Sequence, residues 1–499
     1  MERNLIKKII YLLLIYFAVE CFSLVAFSSF LTSQIIFIIL ALGALGLTLY
    51  RLEYGMLAVL AELLIGSMGH LFNFNLYGYS ISVRIMIYSV VLGVYLISLA
   101  IGLIKSGKKD EYWLSLKEFS GSKYFIIFFA FLIVGLINGF IHHHSLALIF
   151  SDFNAWLYFL LLGPALAVYR ELTPEKISRL KIVFLSAAIW LSFKTLILLY
   201  IFTHDLAIAS GIYLWLRNTL VGEMTPTSTG WPRIFIQGQV FSAIAYFFIF
   251  LYQVLSLRTK HIFKNGQLIN LILGALFLSA ILLSFSRSFW LALLISSVLS
   301  LIFIWQKYSF KKLFEAAVWL FLSAVFSFCL IYLIIAFPYW RQAGQANIGS
   351  SFLNRVNSGN ESAISSRWSL LPVLIKEIKK EPFFGQGYGA EVTYISSDPR
   401  VLEKNKSGEY TTYAFEWAYL DTWLKIGFLG LFSYFLIIFF LLKNNYQAFL
   451  LSGNYYWLAP GVSIIFLMVT NIFTPYLNHP LGIGFLVIAS CLIWRDKVY

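Results

Sequence analysis

The sequence predicts an all-α protein, a polytopic membrane bundle of about 12–14 transmembrane helices with one large extracytoplasmic loop. Three observations predict it. The 499 residues are 60% hydrophobic and only 12% charged, more apolar surface than a soluble chain of this length can bury. The apolar residues fall into runs of about 20, the length needed to cross a bilayer core of about 30 Å. The lysines between those runs collect in alternate short connections, as they do in proteins oriented across a membrane.

Taken in order, the apolar segments lie at roughly 9–31, 33–50, 52–69, 85–104, 124–141, 155–169, 182–202, 234–257, 269–285, 288–306, 313–337, 417–442, 455–474 and 480–494. Several are short or closely abutted, hence a range rather than a single count. Met1 to Lys8 is basic, but the run after it is a full span without a small-residue cleavage site, so an anchor is expected there, not a removed leader. The lysine-bearing connections hold Lys7/Lys8, Lys105/Lys108/Lys109/Lys117/Lys123, Lys176/Lys181, Lys260/Lys264, Lys307/Lys311/Lys312, Lys443 and Lys497. The positive-inside rule puts these and both termini in the cytoplasm. Parity then puts 70–84, 142–154, 203–233, the Ser286-Arg287 turn and 338–416 outside. Four regions result: N-terminal transmembrane helices (1–257), helices carrying the Ser-Arg turn (258–337), the large outer loop with an amphipathic helix (338–416) and C-terminal transmembrane helices (417–499).

The net charge of +14 does not point to nucleic acid, because the lysines sit in membrane-flanking connections. Cys21, Cys329 and Cys491 all fall in apolar runs and are expected as small buried hydrophobes. His142-His143-His144 is expected as an exposed polar turn, since three adjacent side chains do not converge on one ion in regular structure. No outer loop contains an Asp-x-Asp pair, and neither a metal nor another cofactor is expected.

The outer connections use arginine: Arg84, Arg217, Arg233, Arg287, Arg341, Arg355, Arg367 and Arg400. Arginine grips phosphate or carboxylate with a planar fork and stays charged when desolvated, so an anionic ligand, a phosphate, is expected on this side. Snorkelling at helix ends accounts for a share of these arginines. Arg287 is the most informative, because the flanking apolar runs are too long together for one span and the chain must reverse beside it. Arg367 follows a Ser/Asn/Gly-rich stretch and opens the pattern Leu370, Leu371, Val373, Leu374, Ile378, read as an amphipathic helix on the membrane surface that ends at Glu381-Pro382. The glycines at 385, 387 and 389 are expected to form a tight turn. Glu416 has no partner in sequence and is expected to be partly desolvated and suited to general-base work. Asp421 and Lys425 are spaced to pair on one helix face. Arg217 and Arg233 flank an outer loop of turn-forming residues at 223–230 and are candidate phosphate contacts; Arg84, after Gly78-Tyr79-Ser80, and Glu62 with His70 are weaker candidates. His479 reads as a turn residue, and Lys194 and Glu62 are the only deep charges.

These residues resemble the O-antigen ligase and polymerase superfamily, membrane glycosyltransferases of bacterial surface polysaccharides. Ser286-Arg287 followed by an apolar helix resembles the family's Ser-Arg-Gly motif, with Ser288 in place of glycine. Arg367-Trp368 through Pro382-x-x-Gly385-x-Gly387 resembles its Arg…Pro-Leu-Leu-Gly-x-Gly pattern, and Glu416-x-x-Tyr419-Leu420…Gly427-x-x-Gly430 keeps the spacing of its His-Asn-x-Tyr-Leu motif. Glu416 replaces the ligases' histidine, which shifts weight toward a polymerase. The resemblance implies a GT-C-like helical bundle in the bacterial inner membrane, acting at its outer leaflet on a polyprenyl-diphosphate-linked glycan donor and a glycan acceptor, with a chain-length regulator as a further partner. It implies that Arg287 and Arg367, with Arg233 and Arg217, steady the departing diphosphate while Glu416 takes the acceptor proton, with inversion at the anomeric carbon. Arg84, Tyr419 and Asp421 would contact diphosphate or glycan, and 341–380 would form a lid. A ligase differs only in its acceptor. A flippase is a second alternative that should show inverted repeats and mid-membrane charges, and no repeat is seen.

Overall fold

The computed structural model describes residues 2–76, 79–107, 110–226, 232–256, 265–337 and 362–493. Every apolar segment predicted above contains a helix. In chain order these are α1 (Glu2–Phe27), α2 (Phe30–Tyr50), α3 (Leu52–Ile65), α4 (Val83–Ser106), α5 (Glu111–Glu118), α6 (Ser122–Ile141), α7 (Leu146–Phe153), α8 (Leu162–Tyr169), α9 (Pro174–Thr203), α10 (Ala209–Asn218), α11 (Gln239–Ser256), α12 (Asn265–Leu283), α13 (Arg287–Lys307), α14 (Phe310–Ala336), α15 (Ser362–Ile378), α16 (Pro399–Lys404), α17 (Ala418–Ser452), α18 (Tyr455–Thr470) and α19 (Pro480–Ile493). Three antiparallel hairpins punctuate them: β1–β2 (Asn73–Leu76 with Tyr79–Ser82), β3–β4 (Gly222–Pro226 with Pro232–Ile236) and β5–β6 (Val392–Ile395 with Glu409–Thr412).

The all-α membrane architecture stands, but fewer helices are full spans than the 12–14 expected. Among the described residues ten are long and apolar enough to cross a membrane, and α7 with the turn at Trp156–Leu161 and α8 makes an eleventh, bent by 40°. Helices α3, α18 and α19 have 14, 16 and 14 residues. At 1.5 Å per residue, 14 residues reach only about 21 Å. The 142–154 stretch, expected as an outer connection, holds α7.

Sequence dictates which helices face lipid. Helix α2 exposes Ile38, Ile39, Leu42 and Leu49, an apolar surface that only a membrane or partner covers without penalty. Helix α11 buries twelve of its residues among α9, α12 and α18 and forms the centre of the bundle. The deep charges are closed off: Lys194 pairs with Glu20 at 2.6 Å, and Glu62 with Arg84 at 2.9 Å. The expected interior ends also meet. Lys307 and Tyr308 donate to the carbonyls of Leu450 and Gly453, and Lys312 to that of Val254.

The large loop carries its own small core. Leu370, Leu374 and Ile378 of α15 pack against Ala390, Val392, Phe415 and Leu424. The apolar face expected to lie on lipid therefore lies on the β5 strand and α17, because a hairpin supplies apolar cover as well as a bilayer does. Arg341, Arg355 and residues 341–361 of the expected lid at 341–380 lie outside the described residues, as do Lys108, Lys109, Lys260, Lys264 and Lys497.

Candidate functional site

The connection between α18 and α19, Asn471 to His479, is where segments expected on the outer side meet. Turn-forming residues make it. Asn471, 2% exposed, accepts the Leu477 amide at 2.7 Å, and Tyr476 and His479 amides close turns on Thr474 and Tyr476. Its side chains then reach four neighbours. Phe473 packs against Trp417 with the rings tilted and 5.4 Å apart, and Thr474 bonds Ser288 at 3.1 Å. The Tyr476 hydroxyl donates to the Gln237 carbonyl at 3.1 Å, and Asn478 donates to Asp421 at 3.0 Å.

On the Ser288 side lies the Ser-Arg turn. Phe285 takes a positive φ of 47° to reverse the chain, and Arg287 is the first residue of α13. Ser286 at the helix start makes no side-chain cap bond; its hydroxyl pairs with Ser288 at 2.9 Å instead. Arg233 on β4 donates to the Ser284 carbonyl at 3.0 Å, so two arginines from distant segments share one turn with a helix N-terminus. On the Trp417 side, Arg367 and Glu416 form an ion pair, and the Trp417 indole donates to the Arg367 carbonyl at 3.0 Å. Glu416 therefore has a partner and is not desolvated, its side chain being 52% exposed. It stands ahead of α17, where no packing encloses it.

Three other expected contacts are engaged differently. Arg217, at the end of α10, is exposed and donates to Tyr213 at 3.2 Å. The Tyr419 hydroxyl is bound to the Met468 carbonyl at 2.8 Å and ties α17 to α18. Arg84 is 4% exposed, with Nε on Glu62 at 2.9 Å.

On the Asn478 side opens a cavity of about 690 Å³, walled by Arg84, Asp152, Tyr388, Asp421, Lys425 and His479 among others. Asp421 and Lys425 pair at 2.6 Å as their spacing predicted, and Asp152 of α7 joins at 2.6 Å from the same ammonium. Lys425 also donates to the Tyr413 carbonyl at 2.9 Å, and Asp152 accepts the Gly389 amide at 2.8 Å. All three charged side chains are at most 10% exposed. His479 lines the cavity; burial, and then Arg84, pushes its ring down to about 3, so it is neutral. Its Nδ1 accepts the Leu481 amide at 3.3 Å.

The glycine run is more than a turn. Helix α17 breaks at Gly427, with φ 73° and ψ 175°. The orphaned groups are met by 382–387: Gln386 and Gly387 amides donate to the carbonyls of Leu424 (2.7 Å) and Lys425 (3.0 Å). Phe428 and Leu429 amides donate to those of Pro382 (2.8 Å) and Phe383 (3.2 Å). Gly385 and Gly427 approach so closely that a Cβ on either would overlap the other segment's backbone. Irregular backbone at membrane depth survives only when protein satisfies it in this way. The histidine run anchors the same loop, His142 to Glu381 and His144 to the Tyr388 carbonyl, each at 2.8 Å.

Sequence reasoning missed Asp152, the 471–479 connection and the role of the glycines. A signal existed for one: Asn471, Thr474, Pro475, Asn478 and Pro480 are dense turn formers between two apolar runs.

The fold and this end of the bundle define a multi-pass membrane protein with arginines, carboxylates and a polar cavity gathered at one face. Residues 272–435 match the family model described as O-antigen ligase, a stretch holding Arg287, Arg367, the glycine run and Glu416. The match supports the O-antigen ligase and polymerase superfamily over that stretch, about a third of the chain. It is also 28% identical over 211 residues to the ComP-specific O-oligosaccharyltransferase of Acinetobacter baylyi, an alignment covering 40% of this chain and 35% of that relative. The chain thus spans about a third of the relative's length in this match.

Proposed function

We propose that this protein is a membrane glycosyltransferase that moves a glycan from a polyprenyl-diphosphate carrier to an acceptor at the outer leaflet of the bacterial inner membrane, with both termini cytoplasmic. One observation carries it: Arg233, Arg287 and the uncapped N-terminus of α13 meet at one turn, beside a connection whose Phe473 packs on Trp417, the neighbour of Glu416 and the hydrogen-bond donor to the Arg367 carbonyl. Helix N-termini and arginine forks are what a diphosphate needs. The acceptor oxygen attacks the anomeric carbon as the bond to the diphosphate breaks and its electron pair leaves on the phosphate oxygen. Arg233, Arg287 and Arg367 oppose that charge, and Glu416 takes the acceptor proton. Arg367 moving from Glu416 to the arriving diphosphate would free the carboxylate for this role. Attack on the face opposite the leaving group inverts the anomeric carbon.

The descriptions of the matching family, a ligase, and of the relative, an oligosaccharyltransferase, favour attachment of a glycan to another molecule over chain growth. Glu416 in place of the ligases' histidine supports the polymerase as second reading. Glycan profiling of a deletion strain complemented with parent, Arg287→Ala or Glu416→Gln tests all of this. Long polymer left on the carrier in both variants identifies a ligase, and single repeat units identify a polymerase. Normal glycan in both variants refutes the assigned residues, and repeats trapped on the cytoplasmic leaflet mean a flippase.

A further inference from the structure

The cavity beside Lys425 is not used by the chemistry just described, and its polar groups are unfinished. Arg84 has both terminal nitrogens buried without a partner, and the Tyr158 and Tyr388 hydroxyls and the Asn478 carbonyl oxygen are likewise unmet. All four residues wall the same cavity, and Arg84, Tyr158 and Tyr388 are 4%, 5% and 0% exposed. Buried polar groups are almost always satisfied, so a cluster left open calls for a missing partner. That partner must accept from Arg84 and donate to Asn478. A phosphate accepts only. The fixed charges exclude it too: Arg84 and Lys425 face Glu62, Asp152 and Asp421, one carboxylate in excess, with His479 neutral. Hydroxyl groups do both, and the wall supplies rings, Trp156, Tyr88 and Phe415 among them, on which the apolar face of a sugar rests. The volume falls in the range of about 300–1,000 Å³ typical of small-molecule sites.

We infer that this cavity binds an uncharged pyranose of the glycan substrate, apart from the arginines that would hold the diphosphate. That the ring is a sugar rests on the transfer function proposed above; that the ligand both donates and accepts does not.

The test is saturation-transfer NMR on the full chain in lipid nanodiscs, with methyl glucoside, methyl galactoside and methyl N-acetylglucosaminide as probes and pyrophosphate as competitor. At least one probe is expected to bind saturably and to resist pyrophosphate. Tyr388→Phe and Tyr158→Phe should each weaken it about three- to tenfold, the worth of one hydrogen bond. Neither should lower thermal stability, because the hydroxyl removed has no partner in the protein; a structural role would show the opposite. Binding of no pyranoside, unaltered binding by both Phe variants, or displacement by pyrophosphate would overturn the inference. Pyranoside binding without transfer of lipid-linked glycan would sink the transferase reading alone. Transfer without pyranoside binding would sink the cavity alone.

Discussion

Gly427→Ala is the sharpest perturbation this structure offers. At φ 73° and ψ 175° the backbone occupies a region that is nearly glycine-only, and a Cβ there costs about 1–3 kcal/mol from conformation alone. The added carbon would also overlap the Phe383 carbonyl, so the 382–387 segment has to withdraw. Withdrawal threatens the four backbone hydrogen bonds that close the break, each worth about 1 kcal/mol net. With half of them lost, the total is about 3–5 kcal/mol. Gly430→Ala is the control. Gly430 is helical, the atoms nearest its Cβ would be Ile426 side-chain carbons at 2.7–2.9 Å rather than another segment's backbone, and alanine's helix preference of about 1 kcal/mol works against the cost of repacking. Unfolding of both variants in mixed micelles, with hydrogen exchange at Gln386 and Gly387, measures the difference. A Gly427→Ala protein as stable as its parent, or a Gly430→Ala protein equally damaged, would refute the account of the break.

Other consequences can be checked as directly. Lys425→Met strands two buried carboxylates and should cost about 3–5 kcal/mol, most of it recovered when Asp152→Asn and Asp421→Asn are added; micelle unfolding of the set decides. Arg367→Ala removes an exposed pair and should alter stability by under about 1 kcal/mol. It should nonetheless cut glycan transfer at least tenfold, so unaltered transfer would remove Arg367 from the diphosphate site. His479 is neutral when folded and titrates near the ordinary histidine value of about 6.5 when unfolded, so the unfolded chain takes up the proton first as pH falls. Stability present above about pH 6.5 should fall by up to about 2 kcal/mol by pH 5, and His479→Gln should flatten that dependence in thermal scans taken from pH 5 to 8.

Helices were legible because length and apolarity decide membrane insertion locally, and the Asp421–Lys425 pair because four residues make one helical turn. The third member, Asp152, lies 273 residues from Lys425 and has no spacing to betray it. Periodicity marked the apolar face of Leu370, Leu374 and Ile378 but could not say whether lipid or a hairpin would cover it. Glu416 looked solitary for the same reason: its partner, Arg367, is 49 residues away across a hairpin. The glycines spelled a family pattern, yet their purpose emerged only when two distant segments were seen to share hydrogen bonds. Long-range closure, not local preference, set the limit.

The mended break in α17 also constrains how the protein is made. Insertion machinery accepts a helix because its own amides are already satisfied, and α17 cannot meet that condition alone at Leu424 to Leu429. The residues that complete it lie upstream, so they leave the ribosome first. Synthesis therefore delivers the patch before the defect, and moving 382–387 behind α17 by circular permutation would reverse that schedule and trap the chain during biogenesis.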